Sequence, residues 1–318
     1  MTSTGPDEVV GRPPRVARAS AGTLDEVRAF RAESARLAAA LPRAMAELPQ
    51  GTYERLDVVG APVDGLTLYR PTGATSAPPV FVNLHGGGFV LGGAEDDDPY
   101  CRHLADTAGC AVVNVDYVLA PEHPFPAAVH QTYDLLVWLA AHGPVLGLDT
   151  GRLAVGGHSA GGNLAVAAAL LAARHGTPPL RGLVVDYAPL DLVPSPASKL
   201  TSDADPGAVE LAEVGARFDA WYLPDPADAA DELASPLRAA DLSGLPATLV
   251  VTAELDLLHA EGVRFAGRLT ETGVPTEHHE ALGCGHGFTH AGPEHHAREA
   301  WARMAGFLRR ALGTEEDA

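Results

Sequence analysis

One serine of this 318-residue chain stands in a setting suited to nucleophilic work. Ser159 lies in Gly157-His158-Ser159-Ala160-Gly161-Gly162. The bare Gly-x-Ser-x-Gly pattern says little, since small residues recur by chance. Its context says more. A short apolar run, 153–155, precedes it, and an alanine-rich helical stretch, 160–174, follows at once. Strand, tight turn and helix in that order hold a serine hydroxyl at the upper edge of a sheet. The start of the helix also directs its N–H groups at the place where negative charge would develop. A helix-capping serine with turn glycines would account for this motif taken alone. Two further features point to attack on a carbonyl instead.

The first is Asn83-Leu84-His85-Gly86-Gly87-Gly88-Phe89, at the end of another apolar run. Three successive glycines expose backbone N–H groups with no side chain in the way, and such donors can hold an oxyanion. Ala160, the residue after the serine, should supply a further N–H. Neither the lysine of a phosphate loop nor the acid of a dinucleotide site follows, so a phosphate-binding turn is disfavoured. His85 reads as a brace for the glycine turn rather than as a catalytic group.

The second is an ordered base and acid. A serine hydroxyl needs a general base, and the base needs an orienting acid. Among 14 histidines, His286 sits in a glycine-flanked loop, Gly283-Cys284-Gly285-His286-Gly287-Phe288, after the last predicted strand. That places it at the same sheet edge as Ser159. His278, His279, His290, His295 and His296 match no zinc spacing and read mostly as surface residues. Glu254, Asp256 and Glu261 follow the run 248–251. Asp256, deeper in the turn and just before a helix, is the preferred acid, with Glu254 the fallback and a helix-capping aspartate the plain alternative. A thiol nucleophile at Cys284 lacks both an elbow and a donor loop.

These residues need a scaffold. Helical periodicity over 24–48, interrupted at Pro42, opens the chain after a loose arm at 1–22. Alternating segments 53–59 and 66–70 predict an antiparallel pair. Solid apolar runs at 80–84, 111–115, 153–155, 183–185 and 248–251 then alternate with helical stretches at 100–108, 126–141, 160–174 and 259–272. A strand at 276–281 and a helix at 294–312 close the pattern. Such alternation predicts an α/β fold with a mostly parallel sheet covered on both faces. The segment 190–235 breaks it with a Pro- and Asp-rich insertion holding one helix near 208–222. Inserted after a strand, it belongs on the ligand side of the sheet. The expectation is a single domain over 1–318, with a lid formed by about 1–48 and 190–235.

Composition narrows the partners. A net charge of −19, with Lys199 the only lysine, disfavours nucleic acid. The longest apolar run, 164–173, is too short to span a bilayer. Three cysteines, an odd and sparse set, fit a reducing cytoplasm better than a disulfide framework. The segment 1–10 has no basic stretch followed by an apolar one, so no signal peptide is expected.

With these motifs in place, the chain resembles the hormone-sensitive-lipase-like family of α/β-hydrolase esterases over about 50–310. Besides His85 to Phe89, Ser159 to Asn163 and His286 to Phe288, the resemblance rests on Asp116-Tyr117, on Leu119-Ala120-Pro121-Glu122-His123-Pro124 and on Ala234-Ser235-Pro236-Leu237. His158 stands where the family commonly has aspartate. The resemblance implies a triad of Ser159, Asp256 and His286, and an oxyanion hole of Gly87, Gly88 and Ala160. It further implies hydrolysis of small esters through an acyl-enzyme, without metal or organic cofactor, and it allows a homodimer. An amidase, deacetylase or acyltransferase would use the same groups, and a non-catalytic small-molecule receptor would be expected to have lost one of them.

Overall fold

A computed structural model describes residues 23–38, 52–56, 60–63, 66–74, 76–201 and 206–315. The expected N-terminal arm, the helical stretch beyond residue 38 and the end of the first predicted strand lie outside the described residues.

The sheet is built from β1 (Thr52–Leu56), β2 (Leu66–Arg70), β3 (Pro79–Leu84), β4 (Ala111–Val115), β5 (Asp149–His158), β6 (Leu180–Asp186), β7 (Thr248–Ala253) and β8 (Thr276–Ala281). Their spatial order is β1-β2-β4-β3-β5-β6-β7-β8. From β4 to β8 every pairing is parallel, and β1 and β2 add an antiparallel edge. Helices α1 (Leu24–Ala38), α2 (Asp98–Ala108), α3 (Ala127–His142), α4 (Ala160–His175), α5 (Pro206–Tyr222), α6 (His259–Glu271), α7 (Phe288–Ala291) and α8 (Glu294–Leu312) complete the described elements.

Side chains alternate across a strand, so a buried sheet divides its apolar residues between two layers. Val82, Leu84, Val155 and Val185 join the layer that holds residues of α3, α4 and α6. Phe81, Val112, Ala154 and Val184 face the layer of α2 and α8, with Leu104, Trp301 and Leu308. Helix α4 is buried from Ala160 through Ala172. Small and aliphatic residues fill so enclosed a place, apart from Asn163, whose amide donates to the Pro189 and Ala234 carbonyls. Removing one of its leucines, such as Leu164, should destabilise the fold by about 2–5 kcal/mol.

Strands β2, β4 and β8 and helix α8 coincide with the stretches that periodicity predicts. Strand β5 is longer than its apolar run because backbone pairing with β3 and β6 continues through Gly156 and Gly157. Hydrogen bonding, not side-chain type, carries that extension. It delivers Ser159 at the very end of the strand.

Two helices stand apart from the sheet layers and meet each other. Phe30 of α1 packs on Phe218 and Trp221 of α5, with ring centroids 6.0 and 5.5 Å apart. Arg31 fastens α1 below: its guanidinium donates to the carbonyls of Val90 and Ala120 and pairs with both oxygens of Glu122.

Candidate active site

Ser159 occupies a turn that few side chains tolerate. Its φ of 51° and ψ of −123° put a non-glycine residue in sparsely populated space. The turn is held because Ser159 N–H donates to the Asp186 carbonyl and Asn163 N–H donates to the Ser159 carbonyl. Two residues on, a side chain at Gly161 would overlap the carbonyl oxygen of Leu84, so the strand-to-helix crossing closes only around glycine.

His286 arrives on the loop after β8. Its Nε2 lies 3.0 Å from Ser159 Oγ, and its Nδ1 lies 2.7 Å from Asp256 Oδ2. A carboxylate at that distance accepts the Nδ1 proton, which leaves the Nε2 lone pair facing the serine hydroxyl. Asp256 is buried, and its other oxygen accepts the Leu258 N–H. Thus the loop that carries Asp256 also orients it.

Glu254, the fallback acid, does something else. Its carboxylate accepts the Gly283 N–H at 2.7 Å, and Leu255 N–H donates to the Cys284 carbonyl. These two bonds tie the loop of Asp256 to the loop of His286. Glu261 lies away from His286, paired with Lys199 at 3.2 Å. Burial pushes the Glu261 carboxyl up to about 7 against the opposing pull of Lys199. Cys284 is buried, as are Cys101 and Cys110, and all three are unpaired.

The glycine loop meets this group from the β3 side. Gly87 and Gly88 both have positive φ, and the Gly87 carbonyl accepts from Val90 and Leu91, closing the turn. At the start of α4, the N–H of Ala160 is among those a helix leaves without an internal partner. His85 braces the loop: its ring stacks on Tyr117 at 4.2 Å, its Nδ1 lies 2.7 Å from the Gly86 carbonyl, and Tyr117 donates to its backbone carbonyl.

A second polar group adjoins the first and was not foreseen from the sequence. His158 Nε2 lies 3.1 Å from both carboxylate oxygens of Asp97 and 3.0 Å from the Gly86 nitrogen; it donates to Asp97 when protonated and accepts the Gly86 N–H when not. His290 Nε2 lies 3.2 Å from Asp97 Oδ1. The expectation that His290 belongs to a surface cluster therefore fails: it faces a carboxylate that is only 2% exposed. Burial alone would raise the Asp97 carboxyl, but the two imidazoles hold it well below the usual carboxylate range. Nothing in residue spacing signals this meeting of the turn before α2, the end of β5 and α7.

Both groups open on one cavity of about 720 Å³. Gly87, Gly88, Ser159 and His286 line it, and Leu192, Leu211, Phe218 and Leu258 provide apolar wall. Of the aromatic residues near the end of α5, Phe218 reaches the cavity, whereas Trp221 and Tyr222 are buried among their neighbours.

Comparison with known proteins matches this geometry to a family. A family model described as alpha/beta hydrolase fold covers residues 81–290. The chain is an alpha/beta hydrolase of the hormone-sensitive-lipase-like family. The hydrolase is 36% identical over 280 residues to Esterase LipI of Mycobacterium tuberculosis, a match spanning 83% of this chain and 85% of the relative. An arylesterase of Saccharolobus solfataricus is 37% identical over 225 residues, 70% of this chain and 72% of its own. A solved esterase from Pyrobaculum calidifontis superposes with a TM-score of 0.80 at 38% identity, covering 90% of this chain and 94% of that one. The hydrolase is accordingly a carboxylic ester hydrolase acting on small esters. No helix among its described residues is long and apolar enough to cross a membrane.

Proposed function

We propose that Ser159, His286 and Asp256 form the catalytic triad of this esterase, and that the N–H groups of Gly87, Gly88 and Ala160 form its oxyanion hole. One observation carries the reading: Ser159 Oγ lies 3.0 Å from His286 Nε2, while Nδ1 of the same ring lies 2.7 Å from Asp256. Ser159 attacks the ester carbonyl as His286 takes its proton. The tetrahedral oxyanion is held by the three N–H groups. His286 then returns the proton to the leaving alcohol, and water cleaves the acyl-enzyme by the same route reversed. Each oxyanion donor is worth about 2.7–4 kcal/mol in the transition state.

The substrate reading is a small ester with a short- to medium-chain acyl group. A cavity of about 720 Å³ with an aliphatic wall supports it, since pockets of that size and lining hold small apolar ligands. The chain reads as one catalytic domain whose lid comes from 1–48 and 190–235. The contacts of Phe30 with Phe218 and Trp221 support that pairing. Three unpaired, buried cysteines support a cytoplasmic location. Strand β8 ends the described sheet, and its open edge supports a homodimer through that strand or α8.

The test is labelling with a fluorophosphonate and an ester panel of increasing acyl length. Wild type should be labelled at Ser159, and Ser159→Ala should lose about 10⁶-fold in kcat. Full activity in that variant would end the proposal.

A further inference from the structure

Asp97, His158 and His290 come from three separate segments, yet their ligand atoms all lie within 4.8 Å of one another. The closest approaches are 3.1 Å for His158 Nε2 to Asp97 and 3.2 Å for His290 Nε2 to Asp97. Two imidazole nitrogens and a carboxylate oxygen bound to one divalent ion, at about 2.0–2.2 Å each, would be separated by roughly 3–4 Å. Only a small adjustment divides the observed arrangement from that one.

The surroundings match what a metal centre needs. Ligating groups are ordinarily oriented by hydrogen bonds to their remaining atoms. Asp97 Oδ2 accepts from Asn83 Nδ2 at 2.8 Å, and that amide is itself held by Asn114 Oδ1. His290 Nδ1 lies 2.9 Å from both the Tyr187 hydroxyl and Thr289 Oγ1. The His158 and His290 rings stack with centroids 4.0 Å apart, which fixes the spacing of their nitrogens. Asp97, His158 and His290 all line the cavity, which leaves room for water on an ion's open positions.

We propose that Asp97, His158 and His290 form a binding site for a borderline divalent transition-metal ion of the zinc, cobalt or nickel class, and that its occupation restrains ester turnover. Two nitrogens and one oxygen select such ions over calcium or magnesium, which prefer all-oxygen sites. The effect on turnover follows from one lone pair. In its unprotonated form, the only one a metal can bind, His158 Nε2 accepts the Gly86 N–H beside the oxyanion glycines. A metal on that nitrogen takes the lone pair, Gly86 loses its acceptor, and the loop carrying Gly87 and Gly88 loses a support. This second clause rests on the oxyanion reading given above; the binding site itself does not.

The experiment uses full-length protein stripped with a chelator, then titrated with Zn²⁺ by calorimetry and with Co²⁺ by visible absorption. Wild type should bind one equivalent with a ligand-field spectrum, and excess Zn²⁺ should lower its turnover at least tenfold. His290→Gln and His158→Gln should each weaken binding at least tenfold, while His295→Gln/His296→Gln should bind like wild type. The last variant controls for another histidine pair, whose rings lie 3.9 Å apart. No stoichiometric binding to wild type, or binding lost only in the His295/His296 variant, overturns the site. Tight binding with turnover unchanged upholds the site and overturns the coupling through Gly86. Failure of Ser159 as the nucleophile would leave the binding isotherms untouched, so the two readings fail separately.

Discussion

Phe218 of α5 lies directly over Gly88: a methyl group on Gly88 would overlap its ring carbons. The same Phe218 also meets Phe30 of α1. One aromatic ring thus links the glycine loop to both helices that stand above the sheet.

Gly88→Ala should therefore act twice. It places a side chain where φ is +60° and pushes Phe218 away. Because removing one oxyanion donor typically lowers kcat by about 10²–10³-fold, a misplaced loop should lose a comparable amount. Steady-state kinetics on a short ester will check this, with circular dichroism to confirm folding. Phe218→Ala in the same chain should recover part of the loss by making room.

Asp256 and Glu254 make separable predictions. Asp256→Asn should lower kcat by about 10⁴-fold, since the amide stabilises the wrong imidazole tautomer. Glu254→Gln should fall by less than about tenfold, because Gly283 N–H can still donate to the amide oxygen. Parallel kcat measurements decide between them, and a reversed order would move the acid to Glu254.

Arg31 fixes α1 to the segments around Val90 and Ala120. Its pair with Glu122 is partly exposed, at 26% and 35%, so a double-mutant cycle on Arg31 and Glu122 should give only about 1 kcal/mol or less. The larger consequence should be in substrate capture. Arg31→Met should raise KM several-fold with kcat less affected, as measured across an acyl series.

Glu261 sets a pH dependence of stability. Its folded-state carboxyl is raised from 4.5 to about 7, chiefly by burial. The folded protein thus holds that proton more tightly than the unfolded chain does. This contribution is fully present below about pH 4.5 and is lost as pH rises through 7. Urea unfolding midpoints of wild type should lose this increment between pH 4.5 and 7. Glu261→Gln should lack it, giving a flatter profile over the same window.

Much of the scaffold could be read from periodicity. Ala111–Val115 and Thr276–Ala281 stand where alternation and apolar runs put them. The glycine loop, Ser159 and His286 were legible because local chain geometry demands particular residues there. Asp256 was preferred over Glu254 on its place in the turn alone, since both follow β7 within a few residues; in the fold it is Asp256 that meets His286. Asp97, His158 and His290 were illegible for a different reason. They share no local motif, and contact between such distant segments depends on the order of β3, β5 and β6 and on where α7 lands.

The stitch between Leu255 and Cys284, and between Glu254 and Gly283, makes His286 and Asp256 parts of one small unit. Ser159 stands on another, the junction of β5 and α4. Thermal loosening of the protein should then uncouple only one of the two contacts that His286 makes. On warming, the proton between His286 and Asp256 should stay visible in the far-downfield NMR spectrum after fluorophosphonate reactivity at Ser159 has begun to decline, so that the enzyme idles with that hydrogen bond intact before it melts.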